Sequence, residues 1–248
     1  MPQQGSEETF SYESFAALIK EAKSHGYRFL RFDEPPGQDS GKRFYLRHDV
    51  DISPRCALRL GRIAAGLDVR SNFFFQLNAE TYNVFNPANI QIVTELRSSG
   101  HCVGLHVDED LVGTDPEAIR LTLRWFGECC TPIDAAISFH RPTPQALGRD
   151  FEGFASGYGS EVFGEDRYLS DSRRSWDFRA RLTDWLAEGR SPIQLLLHPE
   201  WWHPHGSAEA IWEDLRDRRT DELARYMVTH FKKVFSPVIA IGNREFGI

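Results

Sequence analysis

Cysteine is scarce in this chain: four in 248 residues. Cys56, Cys102, Cys129 and Cys130 form neither C-x-x-C knuckles nor the dense pattern of a disulfide-stapled secreted domain. They read as reduced thiols, with Cys102 in an apolar run and Cys56 on a helix, both as small hydrophobes. No long basic run interrupts a net charge of −7, which excludes nucleic acid as the expected partner. No apolar stretch is long enough to span a bilayer, and Met1–Glu8 is polar and acidic, without the basic and apolar regions of a leader. The expected location is therefore the cytoplasm. Glycine-rich phosphate loops of the G-x-G-x-x-G or P-loop type are missing, as is the G-x-S-x-G run of a serine nucleophile. Internal repeats and low-complexity linkers are also lacking, so the chain reads as a single domain over 1–248, a usual length for a β/α barrel.

What is present is alternation. Strand-like runs at Phe44–Val50, Ser71–Leu77, Cys102–Val107 and Ala135–His140 are separated by helix-like runs, the pattern of parallel strands in an α/β fold. Ser53-Pro54, Asn86-Pro87 and Asp115-Pro116 each put a capping side chain before a proline suited to the first helical position. Gly66 and Gly100 are expected to end the first two helices with a positive φ. Phe15, Leu18, Ile19 and Ala22 have helical spacing and predict an N-terminal helix packed outside the sheet. Later strands are expected over Arg167–Ser170 and Pro192–His198, with mixed strand and loop over Arg149–Asp166. A long amphipathic helix over Ala208–Phe235 is expected to carry Trp212, Leu215, Leu223, Tyr226, Met227 and Phe231, limited by Pro237.

The unusual polar residues fall at the carboxyl ends of strands, where βα loops converge and sites gather. These are His48-Asp49-Val50-Asp51, His106 through Asp110, His140-Arg141, and His198-Pro199-Glu200-Trp201-Trp202. Side chains alternate along a strand, so Asp49 and Asp51 can share one face, where two carboxylates favour metal binding or proton sharing. Histidine and aspartate are also the ligands of a zinc-type hydrolytic site. Duller readings stand beside these: Asp51 as a cap of the Ser53-Pro54 helix, any single histidine as a loop anchor, Trp201 and Trp202 as core. His203 and His205, in a Pro/Gly loop, read as solvated.

In order and spacing, Leu46-Arg47-His48-Asp49-Val50-Asp51, Gly100 through His106, Ser138-Phe139-His140-Arg141-Pro142, Tyr168 through Ser172 before Trp176, and Leu197 through Trp202 resemble the motifs of the polysaccharide deacetylase family. This is the NodB-homology or carbohydrate esterase family 4 group, and the likeness is to its divergent branch in bacterial surface-polysaccharide and O-antigen biosynthesis. The resemblance implies a distorted (β/α) barrel, α/β in class, with seven parallel strands, and metal-dependent removal of an N-acetyl group from a sugar. It implies Asp49 as general base, Asp51 and His106 as metal ligands, Arg141 as the arginine that orients the base, and His198 as general acid. A second metal histidine is usual four residues after the first, and here that position is Asp110. The third ligand is thus Asp110 by family spacing or His140 by local strand order. Asp171, Trp201 and Trp202 are assigned to substrate binding, the tryptophans as surfaces for a sugar ring.

The expected cofactor is a divalent ion, Zn²⁺ foremost, and the expected partner an N-acetylated sugar or glycan; the oligomeric state is not readable. The expected function is N-deacetylation of a lipopolysaccharide or O-antigen precursor. Two alternatives stand beside it: a catalytically impaired, carbohydrate-binding member of the same fold that assists glycan biosynthesis, and hydrolysis of a different C–N bond on this scaffold.

Overall fold

The computed structural model describes residues 10–34 and 41–239; Met1–Glu8, and with it the expectation about a leader, lies outside the described residues. In chain order the elements are α1 (Tyr12–Ser24), β1 (Arg28–Phe29), β2 (Arg43–Val50), α2 (Pro54–Gly66), β3 (Asn72–Phe75), α3 (Pro87–Ser98), β4 (Cys102–Asp108), α4 (Glu109–Val112), α5 (Pro116–Cys129), β5 (Ala136–His140), β6 (Ala155–Ser156), β7 (Tyr168–Ser170), α6 (Phe178–Glu188), β8 (Ile193–Leu197), α7 (Ala208–His230) and α8 (Lys232–Phe235). Seven strands lie side by side in the order β6-β5-β4-β3-β2-β8-β7, every pair parallel, and β1 pairs with the start of β2. The result is a curled α/β sheet, a distorted barrel with β6 and β7 at its two edges, as the resemblance implies.

All three Pro-started helices begin where expected. Asn86 and Asp115 cap with their side chains, whereas Ser53 makes no capping bond. Gly100 takes φ +87° before β4, but after α2 the left-handed position falls on Asp68 (φ 55°) rather than on Gly66. α1 packs outside the sheet: Phe15, Leu18, Ile19 and Ala22 are buried against Leu46 of β2, Leu195 of β8 and Leu182 of α6. Burial of each of the three larger side chains contributes about 1.5–3 kcal/mol.

The C-terminal expectation needs correction. α7 stops at His230 and Phe231 breaks the backbone before α8. Ile211 is the buried residue of α7, while Trp212, Leu223 and Tyr226 are exposed. This helix is held by its Ser207 cap and by ion pairs along its surface, Arg218–Asp214 and Arg219–Glu222 among them, rather than by an apolar face against the barrel. Among the described residues no helix is long and apolar enough to cross a membrane. The cysteines are unpaired; Cys102 is buried and Cys129 exposed.

Strand alternation sorts side chains to the two faces. Phe44, Leu46 and Val50 of β2, Val103, Leu105 and Val107 of β4, and Ile137 and Phe139 of β5 pack outward under the helices. The barrel interior has a floor of Tyr45, Phe74, Cys102 and Ala136. Two residues further along the same strands come Arg47 and Ser138, and two further again Asp49 and His140. The interior therefore changes from apolar to ionisable along the strands, ending at the loops that carry the site.

Candidate metal and acid–base centre

β2 delivers Asp49 and, one step beyond its end, Asp51; β4 delivers His106; β5 delivers His140. The register places His106 opposite Ser138 and Asp108 opposite His140, so both imidazoles reach the same mouth. Asp51 Oδ1 lies 3.1 Å from His106 Nε2 and 3.2 Å from His140 Nδ1. Ligand atoms of the three residues all lie within 4.8 Å of one another. The Asp51 carboxylate also accepts from Gln76 Nε2 (2.9 Å), and its backbone oxygen accepts from Thr81 Oγ1 (2.6 Å). Asp51 is thus committed to the mouth rather than to capping α2. His106 Nδ1 is engaged with Ser138 Oγ at 2.6 Å, which leaves Nε2 directed at Asp51. Burial would raise the Asp51 carboxyl, but bonds from His106 and His140 hold it well below the usual carboxylate range, and Asp51 in turn raises His140.

The donor set fits a divalent cation. In a tetrahedral site with bonds of about 2.0–2.1 Å, neighbouring ligand atoms stand about 3.3 Å apart, close to the two Asp51–imidazole separations. A second acid-rich group, Asp33, Cys102 and Asp134, is different: Arg31 Nη2 sits 2.6 Å from Asp33 and 3.1 Å from Asp134, so a guanidinium already balances both carboxylates.

Asp49 lies beside this cluster, its Oδ2 3.8 Å from His106 Nε2. It is buried, and its partner is Arg47, two residues earlier on the same strand face. Arg47 donates from Nε to Oδ1 at 2.9 Å and from Nη2 to Oδ2 at 2.7 Å. The guanidinium, fully buried, lies over the Tyr158 ring at 4.2 Å and against Gly157, where a Cβ would fall 2.9 Å from Nη1. Burial by itself would raise the Asp49 carboxyl; the charges of Arg47 and His106 and the Arg47 bonds hold it below its ordinary value.

Opposite, His198 follows β8. Its Nδ1 is 2.6 Å from Asp171 Oδ1, and its Nε2 faces the mouth, 3.8 Å from Asp51 Oδ2. Asp171 is wholly buried and also accepts from the His198 backbone N–H (3.0 Å) and from Trp202 Nε1 (3.0 Å). Burial alone would lower the His198 imidazole, but the Asp171 carboxylate outweighs it and raises the value to about 9.

Several expected placements change. The arginine on Asp49 is Arg47, not Arg141; Arg141 has φ 51° and an exposed side chain. Asp110 stands exposed on α4, outside the three-residue cluster, and its backbone N–H donates to Asp108 Oδ1, the cap of that helix. Asp171 and Trp202 are buried and bonded to each other, and Asp171 also bonds His198. Trp201 remains at the mouth, half-buried, its ring 6.3 Å from His198. His48, in the same strand-end run, points outward and stacks on Phe73 at 4.4 Å between helix and sheet. Gln76 and Ser138 complete the centre and were not singled out from sequence.

No family model matches the chain, and no curated protein matches it. Among solved structures it is similar to a peptidoglycan deacetylase of Bdellovibrio bacteriovorus, at 15% identity over 83% of this chain and 67% of that one, with a TM-score of 0.42. It is also similar to the chitin deacetylase of Colletotrichum lindemuthianum (17%, 75% and 86%, TM-score 0.41) and to a family 4 acetyl xylan esterase of Clostridium thermocellum in complex with a cobalt ion (16%, 71% and 84%, TM-score 0.39).

The His198–Asp171 pair has a measurable consequence. Asp171→Asn removes the charge that raises His198 and leaves burial to lower it, so its titration is expected to fall well below about 9. If His198 must be protonated for turnover, the alkaline limb of the pH–kcat profile moves down with it, while KM changes little. An unmoved limb with uniformly lower activity would mark Asp171 as merely structural.

Proposed function

We propose that the chain is a metal-dependent hydrolase that removes the N-acetyl group from a sugar, acting in the cytoplasm on a precursor of a bacterial surface polysaccharide such as O-antigen. The observation that carries the reading is the meeting, at one mouth, of an Asp51–His106–His140 ligand set with an arginine-held carboxylate on one side and a carboxylate-held imidazole on the other. Two acid–base groups with opposite charge preferences flanking a cation site suit hydrolysis of an amide.

Asp51, His106 and His140 would hold the ion, with Zn²⁺ first in view of the one-carboxylate, two-imidazole set. When bound, the ion supplies Lewis-acid polarisation of the amide carbonyl and acidification of water. Asp49, ionised and fixed by Arg47, accepts a proton from the water whose oxygen bonds to the carbonyl carbon. His198, protonated through Asp171, gives its Nε2 proton to the nitrogen as the C–N bond breaks, so acetate and the sugar amine leave. Trp201 offers an apolar face beside His198 for the ring.

The test is acetate release from N-acetylated amino sugars by purified protein loaded with Zn²⁺. Turnover should appear with the ion, disappear on chelation and return on reloading. Tight ion binding with no hydrolysis of any such sugar would favour a carbohydrate-binding role.

A further inference from the structure

A cavity of about 1050 Å³ opens beside the candidate site, between the start of α2, the start of α3 and the inner side of α7. Its wall includes Ile52, which follows Asp51, Thr81, which donates to the Asp51 backbone oxygen, and Trp201. It is continuous in wall residues with the mouth but contains none of the three ligand residues.

The charge in this cavity is unbalanced. Of the arginines lining it, Arg216, Arg218 and Arg219 are matched on α7 by Asp217, Asp214 and Glu222. Arg55 and Arg225 have no acidic partner among the described residues, whereas the charge of Glu209 acts on Arg174, and Glu80 at the rim is the one unmatched acid among the described lining residues. Arg174 is held in place at φ 54°, donating to the Gly206 oxygen and lying over the Phe10 ring at 4.8 Å. The first turns of two long helices add to the positive field: Ser53, Pro54 and Arg55 of α2, and Asn86, Ala88 and Asn89 of α3. Ser53 leaves α2 without a side-chain cap; Pro54 has no N–H and the Cys56 N–H donates to the Ser53 oxygen at 3.1 Å, so the Arg55 N–H is the donor that this turn retains for a ligand. A neutral glycan has no use for such a surplus of cations and helix dipoles; a phosphate-bearing group does. The opposite side of the cavity is apolar, with Ile211, Trp212 and Leu215.

We infer that this cavity binds the diphosphate arm of a carrier-linked sugar, with the carrier against the apolar wall of α7 and the sugar extending to Asp51. The assignment to a substrate rests on the deacetylase reading; the anion site itself does not. Nucleotide and lipid carriers share the diphosphate chemistry and differ in what lies beyond it.

The test is calorimetric titration of the 248-residue chain with inorganic pyrophosphate, UDP, farnesyl diphosphate and N-acetylglucosamine. Asp51→Ala serves to separate anion binding from metal binding, and the Arg55→Gln, Arg225→Gln double variant tests the cavity. Pyrophosphate should bind the parent and Asp51→Ala alike, weaken at least tenfold in the double variant, and weaken with salt as a charged contact does. An unchanged melting temperature guards against misfolding in the variants. UDP tighter than farnesyl diphosphate identifies a nucleotide carrier, and the reverse a lipid carrier. Pyrophosphate affinity unchanged in the double variant, or lost in Asp51→Ala, overturns the proposal. Arginine-dependent binding without acetate release from any N-acetyl sugar would sink the deacetylase reading and leave the anion site standing.

Discussion

Asp49→Asn should lower kcat by about 10²–10⁴ while leaving ion content and substrate affinity close to the parent's. The amide keeps the shape of the carboxylate, and its single oxygen can still accept one of the two Arg47 bonds, but it has no basicity to take a proton from water. In the parent that basicity is protected from two sides. Arg47 bonds both oxygens, and burial keeps competing water away from the pair. Because Asp49 stands 3.8 Å from His106 Nε2 and outside the Asp51–His106–His140 group, its change to Asn should spare ion binding. A variant that hydrolyses an N-acetyl sugar at near the parent rate would assign Asp49 a structural role only.

Arg47→Ala should cost about 3–5 kcal/mol of stability at neutral pH, more than loss of any site histidine. It strands a buried carboxylate, opens a hole between Gly157 and Tyr158, and frees Gln194, whose amide oxygen lies 3.5 Å from Nη1. The pH dependence identifies the cause. In the parent, Asp49 is held below its ordinary value, so its pairing adds stability above about pH 4 and loses it as pH falls through the lowered value. Without Arg47, burial raises Asp49 instead, so the destabilisation should be largest at neutral pH and shrink as acid protonates the carboxyl. Urea unfolding of both proteins across pH would show this; a pH-independent difference would attribute the loss to packing. The double change Arg47→Met, Asp49→Leu should recover much of the stability without recovering turnover.

The difference between Arg47 and Arg141 also marks how far the sequence could be read. Strand alternation and proline-started helices were legible, and with them the convergence of Asp49, Asp51, His106, His140 and His198, because each sits at or just past the end of an apolar run. Arg47 lies inside the run and looks like a break in it; its period-two spacing to Asp49 and Asp51 was the available signal. Arg141 was assigned through motif resemblance, and the positive φ at that residue is a property of the turn that no residue type there announces. Asp110 held the family spacing from His106, but α4 begins at Glu109 and carries it to the exposed side. Asp171 and Trp202 occur in motifs that suggest substrate contact, yet Asp171 bonds His198 and Trp202, across 27 and 31 residues of sequence. The apolar residues of α7 followed helical spacing, but spacing does not tell whether a face meets the barrel or borders a cavity.

The central claim is that Asp51, His106 and His140 together hold a divalent ion, and Zn²⁺ dissociation constants of single alanine variants test it most directly. His106→Ala and His140→Ala should each weaken binding by an order of magnitude or more, while Asp110→Ala stays within a few-fold of the parent. Strong loss in Asp110→Ala with His140→Ala unaffected would contradict the account.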